Sequence, residues 1–184
     1  MSLLALDSRW RRFNDESRQC PCCGQSFSGI YDLGFDAPDD WPHGPSEGED
    51  REHGEDRLSP ELCRYQGRYF IRCGLALPVR GADDAMVFGA WAEVAPDLAR
   101  SYAATLDGGA FAGGEGILAN ALPGFEDAEG TAVTLLPTQD MERPALTAED
   151  DALAEAQAQG ISFDDLLDVY AAAGNDIRPH LAND

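Results

Sequence analysis

Between residues 68 and 79 the chain reads RYFIRCGLALPV, which places Tyr69, Ile71, Cys73, Leu75 and Leu77 on one face and Phe70, Arg72, Gly74 and Ala76 on the other. Successive side chains of an extended chain point to opposite faces, so this period of two predicts a strand. The turn residues of RGADDA follow, and MVFGAWAEV then supplies a second strand. Residues 68–94 therefore read as an antiparallel hairpin or meander. Gly74 and Gly89, inside these strands, leave room for a bulge or for close packing by an aromatic such as Trp91.

A period near 3.6 marks the helices. Residues 7–17 form a short one, with Asp7 or Ser8 as N-cap and Trp10, Phe13 and Leu6 toward one side. Pro96 suits a first helical turn, and Leu98, Tyr102 and Leu106 then recur at helical spacing until the DGG stop. Two helices close the chain: Thr147 with Asp150, and Ser162 with Asp165, each resemble a capping box with Asp replacing Glu or Gln. The last helix carries Phe163, Leu166, Leu167 and Tyr170 on one side and ends at Gly174.

Between these helices, ILANALPGFEDAEGTAVTLLP predicts a short strand, a Pro-Gly turn and a strand at 131–136, followed by an edge strand near Arg143 to Leu146. The preceding AFAGGEG reads as a loop. No Lys or Ser/Thr follows it in the Walker pattern, so it is not a phosphate cradle. Residues 36–57 are dense in Pro, Gly and carboxylates with only Trp41 to pack, and read as an acidic loop. The whole pattern predicts an α+β fold: an antiparallel sheet of four to five strands with helices packed on it, plus an N-terminal cysteine knuckle. Residues 1–19 form an extension or short helix, 20–174 a single domain with its knuckle at 20–35, and 175–184 a polar tail.

Charge narrows the function. With 34 acidic residues against 13 basic ones, the net charge is -21. Binding a phosphate backbone depends on cationic side chains displacing counterions, so nucleic acid is an unfavourable partner. No apolar run approaches the roughly 20 residues that span a bilayer, so no membrane partner is expected. The N-terminal charges follow a short apolar stretch, the wrong order for a secretory signal, and the expected location is the cytoplasm.

Cysteine changes the picture most. Cys20, Cys22, Cys23, Cys63 and Cys73 are an odd number in a chain with no export signal, which favours metal or thiol chemistry over a disulfide framework. QCPCCGQSF contains the C-x-x-C spacing of a zinc knuckle in Cys20 and Cys23, and Gly24 tolerates the tight turn that follows. A four-coordinate site needs two more ligands. Cys63 and Cys73, with nine residues between them, are available, with Cys73 on a strand beside a loop carrying Cys63. His43 and His53 in the acidic loop and His180 in the tail are weaker candidates. A redox role calls for the motif to begin a helix, which the irregular segment after it does not offer. Inert thiols remain the third reading, since unpaired cysteine often serves as a small buried hydrophobe. Neither a nucleophile elbow nor a metalloprotease helix occurs, and Asp39/Asp40 and Asp83/Asp84 fall where turns place solvated carboxylates.

CPCCGQSFSG, DAPDDW, LCRYQGRYFIRCGLALPV, VFGAWAEV, ILANALPGFEDAEG and the GIS opening the last helix occur in this order over 20–173. Together they resemble a bacterial family of uncharacterised proteins, domain of unknown function 2199 (DUF2199). The resemblance implies a single cytosolic domain with a structural zinc at the cysteine cluster and carries no established activity. It strengthens Cys20, Cys23 and Cys63. It also implies a histidine shortly after the cluster, where this chain has Phe27, leaving Cys73 or Cys22 to complete the site.

The expected protein is thus a non-enzymatic, zinc-stabilised domain acting through an unknown protein partner, with Cys20, Cys23, Cys63 and Cys73 as ligands. The alternatives are an enzyme with a cleft near Trp91, Asn120 and Phe125, and an acidic immunity or inhibitor protein that covers a basic partner.

Overall fold

The computed structural model describes residues 3–46, 48–105, 107–138, 143–149 and 151–182. A 3₁₀ turn (Leu3–Leu6) leads into α1 (Ser8–Phe13), whose first turn is capped where the Asp7 carboxylate accepts the Arg9 N–H. Phe13 is fully buried, whereas Leu6, expected beside it, is 62% exposed because the helix begins only after it. The strands are β1 (Leu33–Gly34), β2 (Arg51–His53), β3 (Asp56–Leu58), β4 (Leu62–Tyr65), β5 (Arg68–Pro78) and β6 (Ala85–Val94), followed after α2 (Pro96–Thr105) by β7 (Gly114–Leu118), β8 (Ala132–Leu136) and β9 (Ala145–Ala148). Helices α3 (Asp151–Gln159), α4 (Phe163–Ala172) and α5 (Arg178–Leu181) complete the chain. Among the described residues, no helix is long and apolar enough to cross a membrane.

The α+β class holds, but the sheet is larger than expected and not purely antiparallel. Among the described residues it has nine strands in the order β1-β6-β7-β8-β9-β5-β4-β3-β2, and β5 and β6 also pair with each other. That last pairing closes β5, β6, β7, β8 and β9 into a five-stranded barrel, leaving β1 and the β4-β3-β2 ladder as extensions. Two pairings are parallel, β1 with β6 and β5 with β9. The length of β5 makes the closure possible: its first residues pair with β4, and at Gly74 the same edge turns to β9, the Gly74 N–H donating to Pro144 O at 2.9 Å. A closed ring leaves no edge to aggregate.

The pleat then sorts the core. Ile71, Cys73, Leu75 and Leu77 of β5 lie opposite Ala92, Ala90, Phe88 and Met86 of β6 and share the inner face with Leu118, Val133, Leu135 and Leu146. The buried faces of α2 and α4, including Tyr102, Leu166 and Tyr170, join this same cluster. On the outer face, Phe70 and Trp91 form a second cluster with Trp41, Leu58 and Cys63.

That outer cluster explains why the acidic segment is not simply a loop. Trp41 and Leu58 are buried, and the chain between them folds into the β2–β3 hairpin. The glycine-rich 110–116 stretch likewise enters a strand, β7. A Cβ on Gly114 would lie 2.7 Å from Leu98 Cδ2 of α2, so glycine is what lets strand and helix approach. At Gly89 a Cβ would meet Gly34 Cα of β1 at 3.5 Å, an ordinary contact, and nothing of Trp91.

Leu106 and Asp150 lie outside the described residues. Thr147, expected in a cap with Asp150, instead pairs with Thr134 across β8 and β9. The Ser162/Asp165 capping box is present in full. Past Gly174 the segment expected as a polar tail turns back onto the domain, and Ile177 and Leu181 are fully buried. Burying each such side chain contributes roughly 1.5–3 kcal/mol, enough to hold a four-residue helix in place.

Candidate metal centre

Cys20 to Gln25 form a small closed turn. The Cys20 N–H donates to Gln25 O at 2.8 Å and the Cys20 carbonyl accepts the Gly24 N–H at 2.8 Å. Gly24 sits at φ +75, a left-handed conformation that side-chain-bearing residues rarely adopt, and nothing lies within 4 Å of where its Cβ would be. The glycine is therefore required by backbone geometry, not by crowding. Three residues after Gly24, Phe27 is buried against Phe13, ring centroids 6.3 Å apart, which hangs the turn on the main core.

The turn presents three sulfurs to one imidazole. The Sγ atoms of Cys20, Cys22 and Cys23 each lie 3.4 Å from His180 Nδ1. The four ligand atoms all fall within 4.8 Å of one another and are positioned to bind a metal ion. A tetrahedron with metal–sulfur bonds of about 2.3 Å and metal–nitrogen bonds of about 2.0–2.1 Å has sulfur–nitrogen edges of about 3.5 Å, which the three sulfur–nitrogen distances match, and sulfur–sulfur edges of about 3.8 Å, so the Cys20 and Cys22 sulfurs, 2.9 Å apart, would have to separate around an ion. A single ring nitrogen cannot satisfy three thiols by hydrogen bonding, since it offers one lone pair or one proton.

His180 reaches the site because its helix is clamped from both sides. Ile177 and Leu181 bracket it in the core, and its own carbonyl accepts from Arg18 Nη1 at 3.1 Å. The Leu181 carbonyl accepts from Arg12 Nη1 at 2.8 Å. Phe27, where a histidine was implied, packs its ring 6.1 Å from that of His180. The histidine discounted as part of a polar tail is thus brought to the cysteines. The available signal was the apolar pair Ile177 and Leu181, four residues apart around it.

The sulfurs are electrostatically coupled. Cys20 and Cys22 Sγ lie 2.9 Å apart, and both residues are free thiols. The Cys22 thiol donating to Cys20, assisted by His180, holds Cys20 down to about 6. The same contact, together with burial, pushes Cys22 up to about 11. Cys20 is thus the first of the pair to lose its proton, and a metal would displace the remaining ones.

The other two expected ligands are not part of this cluster. Cys63 on β4 pairs with Phe70 of β5 and lies in the outer cluster, whereas Cys73 stands three residues after Phe70. An odd separation along a strand reverses the face, so Cys73 points into the barrel core and the two thiols lie on opposite sides of the sheet. Burial pushes Cys63 up to about 12, with the Asp56 carboxylate adding to it, and raises Cys73 further still. Both stay protonated, as small apolar side chains do. His43 and His53 stack on each other with ring centroids 4.2 Å apart, and His43 Nε2 meets Asp56 Oδ2 at 3.2 Å, outside the cluster of Cys20, Cys22 and Cys23.

The expected cleft around Trp91 and Asn120 is filled. Both residues are fully buried and their polar atoms are committed: Trp91 Nε1 donates to Phe35 O at 3.0 Å, and Asn120 Oδ1 accepts the Trp91 N–H at 2.8 Å. Asn120 Nδ2 donates to Ala37 O and to Asp39 Oδ1, which ties the start of the acidic segment to the barrel. Phe125 lies elsewhere, beside Gly124 and Val169 in a shallow depression.

No curated protein and no solved structure matches this chain. A family model described as an uncharacterized protein conserved in bacteria matches residues 19–161, a stretch that includes all three clustered cysteines and stops short of His180. With most of the chain covered by that model, the chain belongs to the DUF2199 family.

Proposed function

We propose that Cys20, Cys22, Cys23 and His180 hold one zinc ion in a closed structural site, and that the protein is a non-enzymatic cytoplasmic domain working through contact with another protein. The observation that carries the metal reading is the convergence of three sulfurs at 3.4 Å on a single imidazole nitrogen. Thiolate and imidazole together favour zinc over the hard cations. Four protein ligands leave no position for a reacting water, which is the arrangement of a structural rather than a catalytic centre. All five cysteines are free thiols, in keeping with a reducing compartment. A net charge of -21 favours a partner with a basic surface, through an association that weakens as salt screens it.

The test is elemental mass spectrometry on untagged protein combined with thiol titration. One zinc per chain is expected, with three thiols that react only after chelation and two more only after unfolding. Metal-free protein whose cluster thiols react at once would overturn the proposal.

A further inference from the structure

A cavity of about 340 Å³ opens between the β2-β3-β4 ladder and α2, remote from the metal centre in sequence and built from different elements. Four arginines line it, Arg51, Arg57, Arg64 and Arg100, out of thirteen basic residues in the chain. Two carboxylates, Asp50 and Glu52, also line it, so arginines outnumber carboxylates in the lining itself, in a protein of net charge -21.

The register sharpens this. Arg57 of β3 lies directly opposite Arg64 of β4, a like-charge pair that destabilises a sheet unless something offsets it. The offsetting partners are loose. Arg57 meets Glu52 at 3.5 Å, Arg64 meets Glu55 at 3.4 Å, and the acceptors are 64% and 90% exposed. Arg64 Nε is buried with no hydrogen-bond partner, while its guanidinium lies 5.9 Å above the Tyr69 ring. Arg100 pairs with Asp97, itself 90% exposed. Between these charges the lining is apolar, from Leu58, Leu62, Tyr69, Ala99 and Ala103. The Cys63 thiol in the same lining is held protonated by burial, so it supplies no nucleophile.

We infer that this cavity binds a small amphiphilic carboxylate, its apolar body against Leu62, Tyr69 and α2 and its head group taken by Arg64 and Arg57. A guanidinium pairs with a carboxylate in two parallel hydrogen bonds, and the Arg64 side chain, 40% exposed, offers the outer edge of its guanidinium to such a fork. The volume falls in the range of small-molecule sites, roughly 300–1,000 Å³. A polyanion is a poorer fit, because beyond the cavity it would meet a surface dominated by carboxylates.

Isothermal titration of the full-length protein with decanoate, below its micelle concentration, tests this. Saturable one-to-one binding is expected for decanoate, with decanol and decyltrimethylammonium at least tenfold weaker. Arg64→Gln should weaken decanoate about tenfold or more, the loss of one charge-assisted hydrogen bond. Arg100→Gln, on an exposed helix surface, should weaken it less while leaving the fold intact, and Arg80→Gln, outside the cavity, should leave it unchanged. Chelator should not alter the affinity, which separates this site from the metal centre. Absence of decanoate binding at millimolar concentration, decanol binding as tightly as decanoate, or unaltered binding by both the Arg64 and Arg100 variants would overturn the inference.

Discussion

His180 Nδ1 stands 3.4 Å from Cys23 Sγ, a residue 157 positions earlier in the chain. This contact joins the N-terminal turn to the last helix, while the barrel core between them contains none of the four ligands. A metal at the site would therefore pin the two ends of the domain without nucleating its centre.

His180→Ala should abolish stoichiometric zinc retention. The expected loss in affinity exceeds the ~10–100-fold that a ligand's outer partners typically control. Competition against a chromogenic chelator measures it. Retention at wild-type affinity would show that the histidine is only a neighbour.

Zinc removal should loosen the ends and spare the barrel. Chelation is expected to accelerate amide exchange at residues 20–25 and 177–181 while strands β5 and β6 stay protected, in contrast to zinc fingers that unfold outright without metal. The fall in Tm should be about 2–4 °C for each kcal/mol lost in a domain of this size. Global unfolding on chelation would contradict the separation of site and core.

Cys63→Ala and Cys73→Ala should both leave zinc content at the wild-type value. Each opens a small void in a filled cluster and should cost about 1 kcal/mol in urea denaturation. Zinc loss in either variant would restore that thiol to the ligand set.

Asn120→Ala should be among the more damaging polar substitutions, costing about 2–3 kcal/mol, because it orphans the buried Trp91 N–H and releases the Ala37 carbonyl and the Asp39 carboxylate. Asn120→Asp should be no milder, since it sets a second carboxylate 2.7 Å from Asp39 Oδ1. Equilibrium unfolding monitored by Trp fluorescence provides the measurement.

Acid should weaken the start of α4 through Asp165. Hydrogen bonds from the Ser162 hydroxyl and then from its N–H hold this carboxyl below its ordinary 3.8. A lowered folded-state value means the stabilisation is complete above the unfolded value and is lost as pH falls through the folded one. Asp165→Asn should therefore flatten the stability curve below about pH 4 and leave its shape at neutral pH unaltered. Identical acid limbs in the two proteins would assign the effect to other carboxylates.

Local signals carried a large part of this architecture. The alternation over 68–79 specifies β5 down to which residues face the core, and the Ser162/Asp165 spacing specifies the start of α4. The glycine-rich 110–116 stretch and the acidic 36–57 segment misled, because β7 and the β2–β3 hairpin are held by partners supplied from elsewhere, Leu98 of α2 in one case and the Phe70/Trp91 face in the other. At the metal centre, Cys20 and Cys23 were legible from their spacing and the following glycine, which are properties of one turn.

By itself, then, the sequence determined the α+β class, the long central hairpin, the cysteine turn and the acidic character, since each rests on residues close together in the chain. Tertiary structure alone decided that the sheet closes into a barrel, that Cys63 and Cys73 face opposite sides of it, and that His180 meets the cysteines. Those outcomes depend on register and on the burial of Ile177 and Leu181, which come from contacts between distant segments that no local pattern encodes.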